Sequence, residues 1–297
     1  MANYLDPRND LTFKRVFGEH KHLCMSLINS MLPFENPVVS IEYQTGELTP
    51  DLANVLRNTI VDVRCTDSEG RQFIVEMQMY WTESFKQRVL LNASKAYVMQ
   101  LGKKQKFDLL KPVYALSFVN ENFEKSPGME NEYYHHYKIV NIKDTEKQIK
   151  GLELVFIELP KFKPQDRAEK KLHELWLQFL TEINEDTQEV SKELLDNELT
   201  REAVDCMKRA AYTKEELAAY DKLEIAIMTE LSVVSDSEKK GRAEGKAEGK
   251  AEGRAEGRAE GKAEVVLNSH RAGIPVETIA VITGLTIEQV NKILMVC

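Results

Sequence analysis

Two extended segments, Thr59 to Asp67 and Arg71 to Met79, flank the tripeptide Ser68-Glu69-Gly70, a pattern that calls for a β-hairpin. A three-residue hairpin loop favours a last residue in the left-handed region, which glycine enters without a Cβ penalty. Pairing Asp67 with Arg71 then fixes the antiparallel register. Val63 falls opposite Val75, Cys65 opposite Phe73 and Val61 opposite Met77, which makes one face apolar throughout. On the other face Asp62 stands opposite Glu76, with Gln78 one pleat further along beside Ile60. Facing like charges destabilise a strand pair, so this arrangement calls for either a cation between the two acids or a solvated face.

The chain of 297 residues is 42% apolar, enough for a substantial core and long enough for more than one unit. It contains no run of about 18 apolar residues and no basic-then-apolar leader, so a soluble cytoplasmic protein without a membrane partner is expected. Cys24, Cys65, Cys206 and Cys297 lack the close spacing of a zinc ribbon or disulfide framework, and Cys65 reads as a core residue. The net charge of −8 excludes a generally basic nucleic-acid coat, yet the charge is uneven. Residues 161–238 alone carry −8, whereas 84–112 hold Lys86, Arg88, Lys95, Lys103, Lys104, Lys106 and Lys111 against a single acid, Asp108. Basic charge thus follows directly behind the paired carboxylates.

Asp6-Pro7-Arg8-Asn9-Asp10 offers helix-capping oxygens, Asp10 among them, and apolar residues from Phe13 to Met31 then recur at helical spacing with a break near Gly18. Val38 to Tyr43 reads as a short strand, and Ser84 to Leu101 as an amphipathic helix through Phe85, Val89, Ala93, Ala96 and Leu101. Pro112 to Asn120, Tyr133 to Ile142 and Leu152 to Leu159 have strand composition. Alternation within the second of these sends His135 and His136 to opposite faces, which argues against a shared metal. This order predicts an α/β fold, a sheet with helices packed on it.

Pro160 and Pro164 bound the core at 1–164, and residues 165–238 form a helical region with an apolar stripe from Leu172 to Leu180. Residues 239–264 hold six tandem copies of Gly-(Lys/Arg)-Ala-Glu. A period of four advances a helix by about 400°, so no apolar seam persists, and a solvated helix or a flexible connector is expected. In 265–297, two short helices about Thr283-Gly284 resemble a helix-turn-helix, with Ile279, Ile282, Leu285, Val290 and Leu294 facing inward. Its near-neutral charge suits protein interaction or dimerisation at least as well as DNA readout.

Two acids and a nearby amide on adjacent strands suit a hard divalent cation, Mg²⁺ or Mn²⁺, with Asp62 and Glu76 as ligands and Gln78 orienting water. Asp62 with Glu76-x-Gln78 resembles the core of the PD-(D/E)XK nuclease superfamily, with Gln78 where a Lys usually stands. Three further segments carry the likeness: Asp6 to Gly18, Phe85-x-x-Arg88 and Ile157-Glu-Leu-Pro-Lys-Phe162. Together they resemble the PD-(D/E)XK nuclease-family transposases, related to recombination-promoting nucleases, over about residues 1–235. The resemblance implies a restriction-endonuclease-like mixed sheet flanked by helices. It further implies metal-dependent DNA cleavage with Asp62, Glu76 and Gln78 as the catalytic set, and Asp10, Lys14 and Arg88 close to the site or the DNA. Lys103 and Lys104 read either as a solvated loop or as phosphate contacts. Because Gln78 does not bring the usual lysine's charge, the alternative is a catalytically inactive nuclease-fold protein that binds protein or DNA, assembling through its helical region or tail.

Overall fold

The hairpin forms about the turn that its glycine permits. Gly70 has φ +80°, its N–H donates to Asp67 O (3.1 Å), and the Asp67 N–H donates to Arg71 O (3.0 Å). Asp67 locks the loop further, its Oδ1 accepting from the N–H groups of Glu69 and Arg71. In the computed structural model residues 3–44, 63–102, 106–164 and 171–296 are described. Strand β2 (Val63–Asp67) pairs antiparallel with β3 (Gln72–Gln78), with Val63 opposite Val75 and Cys65 opposite Phe73 as expected. Asp62, and with it the expected Asp62–Glu76, Val61–Met77 and Ile60–Gln78 pairs, lies outside the described residues.

Around this hairpin the sheet has six strands in the order β1-β2-β3-β4-β6-β5, where β1 is Ile41–Tyr43, β4 Val113–Val119, β5 Tyr134–Asn141 and β6 Asp144–Glu158. Strands β3, β4 and β6 run parallel, and the outer pairings are antiparallel, so the sheet is mixed. The parallel step from β3 to β4 requires a crossover, and helix α3 (Phe85–Val98) supplies it. Phe85, Val89, Ala93 and Ala96 of α3 pack on Ile74, Ala115, Val119 and Phe156. Leu101, expected on that apolar stripe, lies beyond the helix end at Val98.

The opposite face of the sheet carries Phe73, Val75, Met77, Leu116, Phe118, Val155 and Ile157 into a larger core. Covering it are α1 (Asp10–Phe13), a π-helical turn (Lys14–Gly18), α2 (Lys21–Met31), α4 (Leu172–Glu182), α5 (Lys192–Asp196) and α6 (Glu198–Met207). Phe17 meets Phe13 and Trp176 at ring distances of 4.8 and 5.5 Å, tying the N-terminal turn to α4. The helices after residue 171 therefore bury the same sheet face as the N-terminal ones.

Two further expectations change. Strand β6 begins at Asp144 rather than Leu152, and turns directly out of β5 where Asn141 Oδ1 accepts from the Lys143 N–H (2.9 Å). In the tail, Ile282 is 58% exposed instead of inward-facing. Ile279, Ala280 and Thr283 fill the buried side of α8 (Val276–Thr283); at about 100° per residue they span an arc of about 100°, and Ile282 lies about 60° outside it.

Chain contacts divide the molecule into two compact units, Met1–Asp221 and Lys222–Cys297. The first holds everything described above except the tail. The second contains most of α7 (Lys214–Arg271), with all six repeats helical, then α8 and α9 (Ile287–Val296). Its small core is Val266, Ile279, Ala280 and Val290, closed by the left-handed turn at Gly284 (φ +62°).

Candidate active site

The second half of β3 carries Glu76 and Gln78 on the face that α3 covers, because alternation leaves Val75 and Met77 for the larger core. Glu76 is only 5% exposed. Burial raises its carboxyl above the ordinary range, and Arg88 and a hydrogen bond from Asn92 Nδ2 (3.3 Å) oppose that rise. Arg88 and Asn92 are four residues apart on α3, so both point at the same stretch of β3. The Arg88 Nη2 donates to Gln78 Oε1, and Gln78 Nε2 donates to Tyr80 O, which holds the amide in a single orientation. Arg88 also lies over the ring of Phe85 at 4.8 Å.

The N-terminal segment closes on the same place. Asn9, not Asp10, caps α1: its Oδ1 accepts from the Leu11 N–H (3.0 Å), leaving Asp10 as the first helical residue. Freed from capping, Asp10 lies partly buried between two cations. Burial raises its carboxyl, with Lys14 and Arg88 pulling it back down. Lys14 opens the π-helical turn, a local departure from α geometry often found at functional sites. Arg8, gripped by Asp6 Oδ1 (2.8 Å), donates to Asn120 Oδ1 (3.0 Å), while the Asn120 N–H donates to Gln78 O (2.9 Å). The Asp6-Pro7-Arg8 motif thus docks the N-terminal segment onto the end of β3.

Arg88 is therefore the meeting point of Asp10, Glu76 and Gln78. Of the remaining expected site residues, Lys14 joins the group through Asp10, and Asp62, Lys103 and Lys104 lie outside the described residues.

Two groups join that the sequence reading passed over. Ser117 of β4 is the direct register partner of Glu76 and is fully buried, with its Oγ unpartnered. Asn92 Oδ1 is likewise buried and unpartnered. Both left signals: Ser117 interrupts an apolar strand, and Asn92 follows Arg88 by one helical turn. Orphaned buried oxygens are costly, and here they flank a carboxylate. The donor chemistry, one carboxylate with neutral hard oxygens, fits a divalent cation such as Mg²⁺. Among the described residues no three of His, Cys, Asp and Glu form a metal cluster. His135 and His136 face apart as expected and pair with Glu158 (3.1 Å) and Glu153 (2.7 Å).

The Ile157 to Phe162 segment has a different task. Glu158 is fully buried and accepts from Lys161, from the N–H groups of Phe123 and Glu124 and, through its other oxygen, lies against His135. Lys161 Nζ also donates to the carbonyls of Glu124 (2.7 Å) and Met129 (3.0 Å). The network anchors the loop after β4.

A family model described as PD-(D/E)XK nuclease family transposase matches residues 7–236. The chain belongs to this family. The mixed sheet with flanking helices agrees with the PD-(D/E)XK fold, and the matched span takes in each of the convergent segments around Arg88. No curated protein and no solved structure matches the chain. PD-(D/E)XK nucleases generally use divalent metal ions, in keeping with the hard-oxygen character of the residues around Glu76. No helix among the described residues is long and apolar enough to cross a membrane.

Proposed function

We propose that this PD-(D/E)XK family member is a DNA endonuclease that depends on Mg²⁺ or Mn²⁺, with Asp62 and Glu76 holding the metal. The supporting observation is the convergence on Arg88, which hydrogen-bonds Gln78 and acts electrostatically on both Glu76 and Asp10. In the superfamily a lysine usually occupies the position of Gln78, and here Gln78 presents its carbonyl to a guanidinium. Arg88 thereby returns a positive charge to that place, and its planar fork matches the oxygens of a phosphodiester.

The metal, when bound, polarises the scissile phosphate, lowers the pKa of water and stabilises the leaving oxygen. Arg88 binds a non-bridging phosphate oxygen and neutralises charge that grows in the transition state. Gln78, fixed through Tyr80 O and Arg88, keeps a carbonyl lone pair with which to orient the attacking water. Lys14 holds an adjacent phosphate. Lys103 and Lys104 add sequence-independent attraction for DNA.

Supercoiled plasmid incubated with the full chain in Mg²⁺ is expected to be nicked, and chelation is expected to stop it. Asp62→Ala, Glu76→Ala and Arg88→Ala should each lower the rate by at least about 10²-fold, the usual loss on removing one transition-state contact. Cleavage unchanged in Glu76→Ala would show that the activity resides elsewhere.

A further inference from the structure

Arg64 occupies the middle of β2, in register with Ile74 and so on the same sheet face as Glu76 and Gln78. It is half-buried, and its Nη2 donates to Gln72 Oε1 (3.2 Å). Its Nε is buried with no hydrogen-bond partner, and no carboxylate of the described residues lies within ion-pair distance of it. Arg8, Arg15 and Arg71 of this unit are matched with acids, Asp6, Glu216 and Asp67, and Arg88, like Arg64, is not. A guanidinium drawn partly out of water without a counter-charge is costly, and the missing partner is an anion with oxygens that can accept from its fork.

Position narrows the class of anion. Diagonal neighbours on paired antiparallel strands lie about 7–8 Å apart, and Glu76 is the diagonal neighbour of Arg64 through Ile74. The guanidinium turns toward Gln72, the other diagonal neighbour, so it lies further from Glu76 than this spacing, on the flank where a nucleic-acid strand with its scissile phosphate at Glu76 and Arg88 carries another phosphate. We propose that Arg64 is a second phosphate-binding residue that holds the DNA backbone on one flank of the cut. The proposal rests on the nuclease reading above and assigns Arg64 to binding, with no part in bond breaking.

The test is anisotropy of a labelled duplex oligonucleotide titrated with the full chain in Ca²⁺, which substitutes for Mg²⁺ without supporting cleavage, over a series of salt concentrations. Arg64→Gln should weaken binding about tenfold at low salt and reduce the slope of log affinity against log salt by about one. Arg64→Lys should keep the slope and lose most of the same affinity, because the charge remains and the fork does not. A residue that only supports the sheet would lower the thermal midpoint and leave the salt slope intact; that result overturns the proposal. Wild-type protein that nicks plasmid while Arg64→Gln binds like wild type overturns this assignment alone. Wild type that neither binds nor nicks DNA overturns it together with the nuclease reading.

Discussion

Two single side chains carry opposite consequences for stability and activity. Glu158 and Lys161 are buried together, and replacing Glu158 by Gln leaves an ammonium without its counter-charge. Breaking such a pair typically costs about 3–5 kcal/mol, so Glu158→Gln should show a large fall in denaturation midpoint by circular dichroism. Burial acts to raise the Glu158 carboxyl, but Lys161, the Glu124 N–H, His135 and the Phe123 N–H outweigh it and hold the group below its ordinary value. A carboxyl lowered on folding binds fewer protons in the native state than in the unfolded one. Its contribution is complete above the unfolded pKa, about 4.3, and disappears as pH falls through the lower folded value. The acid limb of the wild-type stability profile should therefore flatten in Glu158→Gln. Ser117 should behave in the opposite way. Its buried hydroxyl has no partner, so Ser117→Ala should leave stability unchanged or raise it by about 1 kcal/mol while slowing Mg²⁺-dependent cleavage. A thermal melt and a nicking assay on one preparation decide both halves of that expectation.

At the scale of elements, the repeat segment shows how solvent alone shapes a helix. The six glycines from Gly241 to Gly261 lie inside α7, and a Cβ added at any of them meets no atom within 4 Å. Each glycine costs a helix interior about 1 kcal/mol relative to alanine. Replacing two of them with Ala should raise helical ellipticity and the melting temperature of that segment without affecting DNA cleavage. Gly70 is the contrasting case. Its φ of +80° is open only to glycine at low cost, and a Cβ there falls 3.1 Å from Lys111 Cγ. Gly70→Ala should lower stability by about 1 kcal/mol or more, measured by urea denaturation, and loosen the strand that presents Glu76. Strand register, the crossover helix and the helical tail were all legible from alternation, spacing and turn residues. The early start of β6 was not, because an Asn-initiated turn between two exposed segments leaves no glycine or proline to mark it.

For the whole molecule, the division into two units has a thermodynamic consequence. Met1–Asp221 has an extensive core on one sheet face and a second beneath α3, whereas among the described residues Lys222–Cys297 rests on four buried apolar side chains. Units with separate cores need not unfold together. Calorimetry of the full chain should show two transitions, with the smaller unit melting first and added Mg²⁺ raising only the transition of the larger one. A single transition with equal calorimetric and van't Hoff enthalpies would instead mean that the units unfold as one. The sequence by itself determined which residues of β2 and β3 share a face, since alternation and a three-residue turn are properties of the local chain. It also marked Glu76, Gln78 and Arg88, through motifs that are contiguous or nearly so. Only the tertiary structure decided that Asp10 is released from capping, that Arg88 brings its charge to Gln78, and that Ser117, Asn92 and Arg64 stand on the same face with unsatisfied atoms. Those facts depend on segments far apart in the chain, brought together when the N-terminal turn and α3 pack on opposite faces of one sheet, and side-chain periodicity has no reach over such distances.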